Sequence, residues 1–196
     1  MSVFGIAAKT VKQNKVSVAG VTGLVRTSFM KVLPMDLVVA RKSARYNRIG
    51  ISLPDTDIKE GEFIKAGGDW YIVGNITKDL HKGRPIRSVS ELVWCSHLDA
   101  TVQRPDVVRD PFSGSIIGET TTQLFKDVKL LFSTAEVFSE TDRDTEVGYW
   151  NAYVSKLYGL LRSETQLIVD GSLYEIKYHR DDIQGVYTYR VMKAAR

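Results

Sequence analysis

The stretch "GGDWYIVGNITKD", residues 67–79, is echoed by "DGSLYEIKYHRDD", residues 170–182, 103 positions further on. In the first, "EFIKA" alternates apolar and polar side chains into Gly67-Gly68-Asp69, and Trp70 to Ile76 alternates back out. Paired glycines supply the positive-φ positions of a tight two-residue turn, so the stretch predicts a β-hairpin. In "TQLIVDGSLYEIKYH" Asp170-Gly171 does the same between Leu167 and Leu173. At the fixed offset Ile58 falls on Leu161, Ile64 on Leu167, Ala66 on Val169, Gly68 on Gly171, Tyr71 on Tyr174, Val73 on Ile176 and Asp79 on Asp182.

Each copy then reaches another strand-like run, "RSVSELVW" at 87–94 and "VYTYRVMK" at 186–193, after an Asp-containing loop that is about four residues shorter in the second. Any two hairpins share Gly turns and alternation, so the echo fits a duplication or two independent hairpins. Either way it predicts a mainly β chain of two small SH3- or OB-like β-barrels. "QRPDVVRDPFSGSIIGETT", residues 103–121, holds two of the five prolines and two glycines. That composition predicts a linker over 105–125, between an N-terminal arm and first barrel (1–104) and a second barrel (126–196). In "GYWNAYVSKLYGLL" Trp150, Tyr153, Val154, Leu157 and Leu161 fall at helical spacing, which predicts one short helix.

With 196 residues and 43% hydrophobic content the chain is ordinary for a folded protein, and a formal charge of +4 is a mild bias. A single cysteine, Cys95, excludes an intramolecular disulfide framework. "MSVFGIAAKTVKQNKV" has no long apolar core behind its basic residues, which disfavours a cleaved signal, and no apolar run approaches the ~18 residues of a membrane span.

Local catalytic cues are absent. "FSGSIIGE" is not a G-x-S-x-G elbow, and neither a phosphate loop nor a dinucleotide fingerprint occurs. Cys95 and His97 share a strand face but lack the further ligands of a metal centre, and Asp55-x-Asp57 and Asp142-x-Asp144 lie where polar turns are expected, so no metal and no cofactor are expected. The clearest charge feature is "ARKSARYNR", with Arg41, Lys42, Arg45 and Arg48 in eight residues beside Tyr46. Such a cluster suits phosphate contacts that gain strength by multivalency, and it equally suits a solvated loop. "SETDRDTEV", 139–147, reads as an exposed loop carrying Glu140, Asp142, Arg143 and Asp144.

The runs "IKEGEFIKAGGDWYIVGNITKD" and "LRSETQLIVDGSLYEIKYHRDD", with their G-x-x-Y-x-[IV] hairpin and trailing Asp, resemble the small β-barrel neck proteins of tailed bacteriophages, the head-closure and head-tail joining proteins. The resemblance implies a non-enzymatic structural virion protein, assembled in the host cytoplasm. It implies a homo-oligomeric ring of six or twelve copies that touches portal or adaptor and tail proteins, with double-stranded DNA passing through and no membrane partner. In that setting Arg41, Lys42, Arg45 and Arg48 would face DNA or a subunit, and Glu140, Asp142, Arg143 and Asp144 the channel or a neighbour. Such proteins need only one barrel, so the doubled chain departs from the pattern. The alternative is a nucleic-acid-binding OB- or SH3-like module that acts alone.

Overall fold

Period-two alternation is realised over nearly all of the residues described in the computed structural model, 14–21, 25–34, 48–134 and 149–194. Strands β1 (Asn14–Ala19), β2 (Val25–Pro34), β3 (Arg48–Ser52), β4 (Phe63–Ala66), β5 (Asp69–His81) and β6 (Arg84–Trp94) close an antiparallel barrel in the order β1-β2-β3-β6-β5-β4. Strands β7 (His97–Arg109), β8 (Ile116–Thr134), β9 (Tyr149–Ser155), β10 (Gln166–Val169), β11 (Ser172–Ile183) and β12 (Val186–Lys193) close a second, in the order β10-β11-β12-β9-β8-β7. Adding six to each index turns the first cyclic order into the second. The mainly β, two-barrel expectation therefore holds.

The echo is also a repeat of register. Ile64 pairs with Tyr71 and Ala66 with Asp69, while Leu167 pairs with Tyr174 and Val169 with Ser172. Ile64 faces Val18 on β1, and Leu167 faces Val102 on β7. Both hairpins turn on two positive-φ residues, Gly67 and Gly68 (62° and 103°) and Asp170 and Gly171 (48° and 72°), the conformation whose twist matches paired strands. The approach to each hairpin repeats as well. Glu62 N donates to Lys59 O (3.3 Å) and Val73 N to Glu62 O (2.9 Å); Thr165 N donates to Arg162 O (2.9 Å) and Ile176 N to Thr165 O (3.2 Å). Gly68 and Gly171 thus occupy equivalent turns, and Tyr71 and Tyr174 are buried at equivalent points of the two cores.

Several expectations are corrected. The segment 105–125 is not a linker: Pro105 to Arg109 belongs to β7 and Ile116 to Phe125 to β8, paired from Pro105↔Thr121 to Arg109↔Ile116. Pro105 is tolerated because β10 pairs with β7 only at Thr101–Gln103, so no third strand asks for its missing N–H. The boundary between the two compact units falls at Trp94/Cys95, and Ser155–Leu157 and Ile183–Val186 group with the first unit. The expected helix is mostly strand β9, where Leu130↔Val154 to Thr134↔Trp150 pair with β8, followed by one 3-10 turn, Lys156–Tyr158. Its aromatic and β-branched residues favour the pleated surface over helical spacing. Asn14–Ala19 and Val25–Pro34 are no arm but the first two barrel strands. The Asp-containing loop after the first hairpin is also strand: β5 runs to His81 and β6 starts at Arg84.

The first core gathers Val16, Val18, Met30, Ile58, Ile64, Tyr71, Val73 and Leu92. Each fully buried aliphatic side chain contributes roughly 1.5–3 kcal/mol. Gly50 leaves room for the Met30 side chain, whose Sδ would lie 2.2 Å from a Cβ there. An ionic clamp ties β2 to the chain before β4. Arg26 grips the largely buried Glu62 with two nitrogens (2.7 and 2.6 Å) and Asp57 with Nε (2.7 Å), while Lys59 N donates to Glu62 (2.8 Å). Hydrogen bonding to Arg26 holds the Asp57 carboxyl below the usual carboxylate range.

Within the same unit Ser155 Oγ donates to Gly61 O (2.5 Å), Lys156 N to Gly185 O (3.0 Å) and Gln184 N to Asn75 Oδ1 (3.1 Å). Gly185, at φ 69°, is enclosed: a Cβ would lie 2.5 Å from Val73 O and 2.6 Å from Gly61 N.

The second core centres on Tyr189, the largest fully buried side chain, with Val102, Val128, Leu130, Leu167, Ile176 and Val191 around it. The Tyr189 hydroxyl accepts a hydrogen bond from Leu161 N at 2.9 Å, and burial pushes its pKa up to about 12.

Candidate interaction surfaces

Beyond Gln103 the β7–β8 pair leaves the barrel as a two-stranded ribbon, since β9 meets β8 only from Leu130 onward. Six residues of β7, Arg104 to Arg109, give it a reach of about 20 Å. A threonine run, Thr120 to Thr122, supplies β-propensity without a core to bury it. Thr122 Oγ1 (2.7 Å) and Arg104 Nε (3.0 Å) both donate to Asp106, lowering its pKa and stitching the strands across the open face.

The tip is built, not loose. Asp110 Oδ1 accepts from Phe112 N (2.7 Å) and Ser113 N (2.9 Å), which keeps its carboxyl below the usual range. Asp110 N donates to Ser115 O (2.8 Å), Gly114 N to Asp110 O (2.9 Å) and Arg109 Nη1 to Gly114 O (3.1 Å). This Asx-capped turn holds Phe112 out in solvent at 98% exposure, with Ile116 and Ile117 at 60% and 62% and Val107 and Val108 also exposed. Exposed apolar side chains therefore lie on both faces of the ribbon as well as at its tip, since neighbouring residues of a strand point to opposite sides.

A second ribbon is the distal part of β5–β6. Lys78 pairs with Ser88, Asp79 with Arg87, Leu80 with Pro85 and His81 with Arg84, and every residue from Leu80 to Arg87 is exposed. Lys82 and Gly83 form the turn, both at positive φ (51° and 78°). β3 pairs with β6 only as far as Ser88 and β4 with β5 only as far as Ile72, so the pair stands alone from Asp79 and Arg87 outward.

On the second unit, Arg190 lies over Tyr149 (4.5 Å) and Tyr178 (5.5 Å) and donates to the Tyr178 hydroxyl, drawing that phenol below its usual range. His97 Nε2 is 3.0 Å from Asp170 Oδ2 and its Nδ1 2.7 Å from Ser96 Oγ. Ser96 Oγ also accepts from Phe132 N (2.9 Å), so this Ser-His-Asp chain links the start of β7 to β8 and to the β10–β11 turn. Cys95 is buried, and its thiol is pushed up to about 12 by burial. Among the described residues no three His, Cys, Asp or Glu side chains gather as a metal site.

Of the sequence-derived candidates, Arg41, Lys42 and Arg45 lie outside the described residues, as do Glu140, Asp142, Arg143 and Asp144. Arg48 opens β3 and sits by the Tyr71 hydroxyl, in the fold's own bonding. Asp79 is ion-paired to Arg87 at 2.5 Å, and Asp182 lies within β11. Both ribbons escaped the sequence reading. Alternation flanking Asp110 to Ser115 and Lys82-Gly83 was the available signal, masked by Pro and Gly in the first and by charge in the second. Comparison with protein-family models, with curated proteins and with solved structures returned no match.

Proposed function

We propose that the chain is a non-enzymatic assembly subunit whose β7–β8 ribbon docks on a neighbouring copy, building a ring of the kind found in the phage head-to-tail connectors it resembles. The observation that carries this reading is Phe112, held fully in solvent by an ordered turn and flanked by exposed Ile116 and Ile117. A lone two-stranded hairpin is marginal in water, so a projection of this kind gains stability when another surface covers it. A ribbon on one part of a subunit that seats on a different part of the next makes a head-to-tail contact, which closes into a ring where the rotation between copies permits. Portal or adaptor and tail proteins would then be the neighbours above and below, and the virion the place of function.

Sedimentation velocity over a concentration series tests the docking step. The wild-type chain is expected to form a closed oligomer, and Phe112→Asp to weaken it by more than about 30-fold, the loss of a central apolar contact worth at least ~2 kcal/mol. At concentrations too low for either chain to associate, its melting temperature should match that of the wild type. Density-gradient fractionation of a producing lysate tests the virion assignment: the protein should travel with DNA-containing particles. A chain that is monomeric alone and stays wholly in the soluble pool overturns the reading.

A further inference from the structure

We propose that the distal β5–β6 ribbon is a contact surface for the phosphate backbone of double-stranded DNA. Four of the ten residues from Lys78 to Arg87 are Lys or Arg, against one acid, Asp79. That acid is occupied by Arg87 at 2.5 Å. Lys78, Lys82 and Arg84 are exposed and make no ion pair with any described residue, so three cations remain for an external anion. The turn presents them in a fixed frame: Lys82 and Gly83 adopt the paired positive-φ conformation, and open space surrounds Gly83.

The shape favours a duplex over a single strand. A two-stranded ribbon fits a DNA groove, and phosphate contacts need only ordered cations. Single-strand binding draws on aromatic stacking, and Lys78 to Arg87 holds no Phe, Tyr or Trp. The exposed pair Leu80 and Pro85, with Ile86 bulged beside it, offers the small apolar contacts that groove walls accept. This site is separate from the basic 41–48 segment, and it does not rest on the ring reading. Loss of self-association in Phe112→Asp would leave it untouched.

Fluorescence anisotropy of a short labelled duplex, titrated with the full chain at several salt concentrations between about 50 and 200 mM, tests it. Binding by the wild type should fall steeply with salt. The triple variant Lys78→Gln, Lys82→Gln, Arg84→Gln should lower the slope of log K against log salt by up to about 2.7, that is ~0.9 for each phosphate no longer neutralised. Its melting temperature should match wild type; should it not, Lys82→Gln alone, at the turn, is expected to lower the slope by about 0.9. Absence of duplex binding by the wild type overturns the proposal, as does an unchanged slope in the variants. So does tighter binding to the single strand or to poly-glutamate than to the duplex.

Discussion

The two barrels share one closed strand order and one hairpin register, yet each lengthens a different hairpin. In the first it is β5–β6, with strands of 13 and 11 residues and a basic tip; the equivalent β11–β12 has 12 and 8. In the second it is β7–β8, with strands of 13 and 19 residues and an apolar tip; the equivalent β1–β2 has 6 and 10. Closure depends on residues near the barrel, where Ile64 and Leu167 or Val18 and Val102 must face inward. The ends of β5–β6 and β7–β8 meet open space and are free to vary, whereas the β11–β12 turn at Gly185 is enclosed. A repeated scaffold can therefore carry two unlike contact surfaces without altering either core.

The equivalent turns Lys82-Gly83 and Gln184-Gly185 give the sharpest test of that division. Gly185→Ala places a methyl against backbone atoms at a positive φ and is expected to destabilise by about 3 kcal/mol or more, read from urea denaturation. Gly83→Ala meets open space and carries only the left-handed backbone strain, about 1 kcal/mol. Similar losses from both would break the distinction between an enclosed and a free hairpin end.

A smaller contrast lies in the approach to the two hairpins. Glu62, clamped by Arg26, corresponds to Thr165, which carries no charge. Arg26→Gln is expected to cost about 1–3 kcal/mol, less than a fully buried pair because Arg26 is partly in solvent. Asp57 adds a pH dependence to the first unit. Its folded pKa is depressed, so its contribution is present above the ordinary aspartate range near 4 and is lost as pH falls through the lowered value. Acid titration of Arg26→Gln should lack that component.

Smallest is the difference between Ile58 and Leu161, equivalent buried residues whose amides are satisfied differently. Ile58 N finds Thr56 Oγ1 at 3.4 Å, while Leu161 N depends on Tyr189 across the core. Tyr189→Phe should cost about 1–2 kcal/mol by leaving a buried N–H unpaired, and Thr56→Ala less than about 1. Equal costs in a thermal melt would show that the two amides are held alike.

What the sequence disclosed follows the range of the interactions. The hairpins at Gly67-Gly68 and Asp170-Gly171 were legible because turn chemistry and alternation act between near neighbours. The β1–β4 and β3–β6 pairings that close the first barrel join strands far apart in the chain, and no local pattern encodes them. Pro105, Pro111 and Gly114 made a ribbon look like a linker, because composition does not reveal that Pro105 lies on an unpaired edge and that Pro111 and Gly114 sit in the tip. Trp150 and Val154 satisfied helical spacing while β8 waited as a partner. The charge cluster that drew attention, 41–48, overlaps the described residues only at Arg48, whereas the basic β5–β6 tip becomes a surface only once β5 and β6 are paired.

Cys95 has a practical consequence. Burial pushes its thiol well above the usual cysteine range and shields the sulfur, so little reactive thiolate is presented near neutral pH. The native chain is thus nearly silent to maleimide chemistry under mild conditions. A cysteine substituted for the exposed Ser113 or Arg84 would take a spin or fluorescent label selectively, so the two ribbon tips can be watched one at a time.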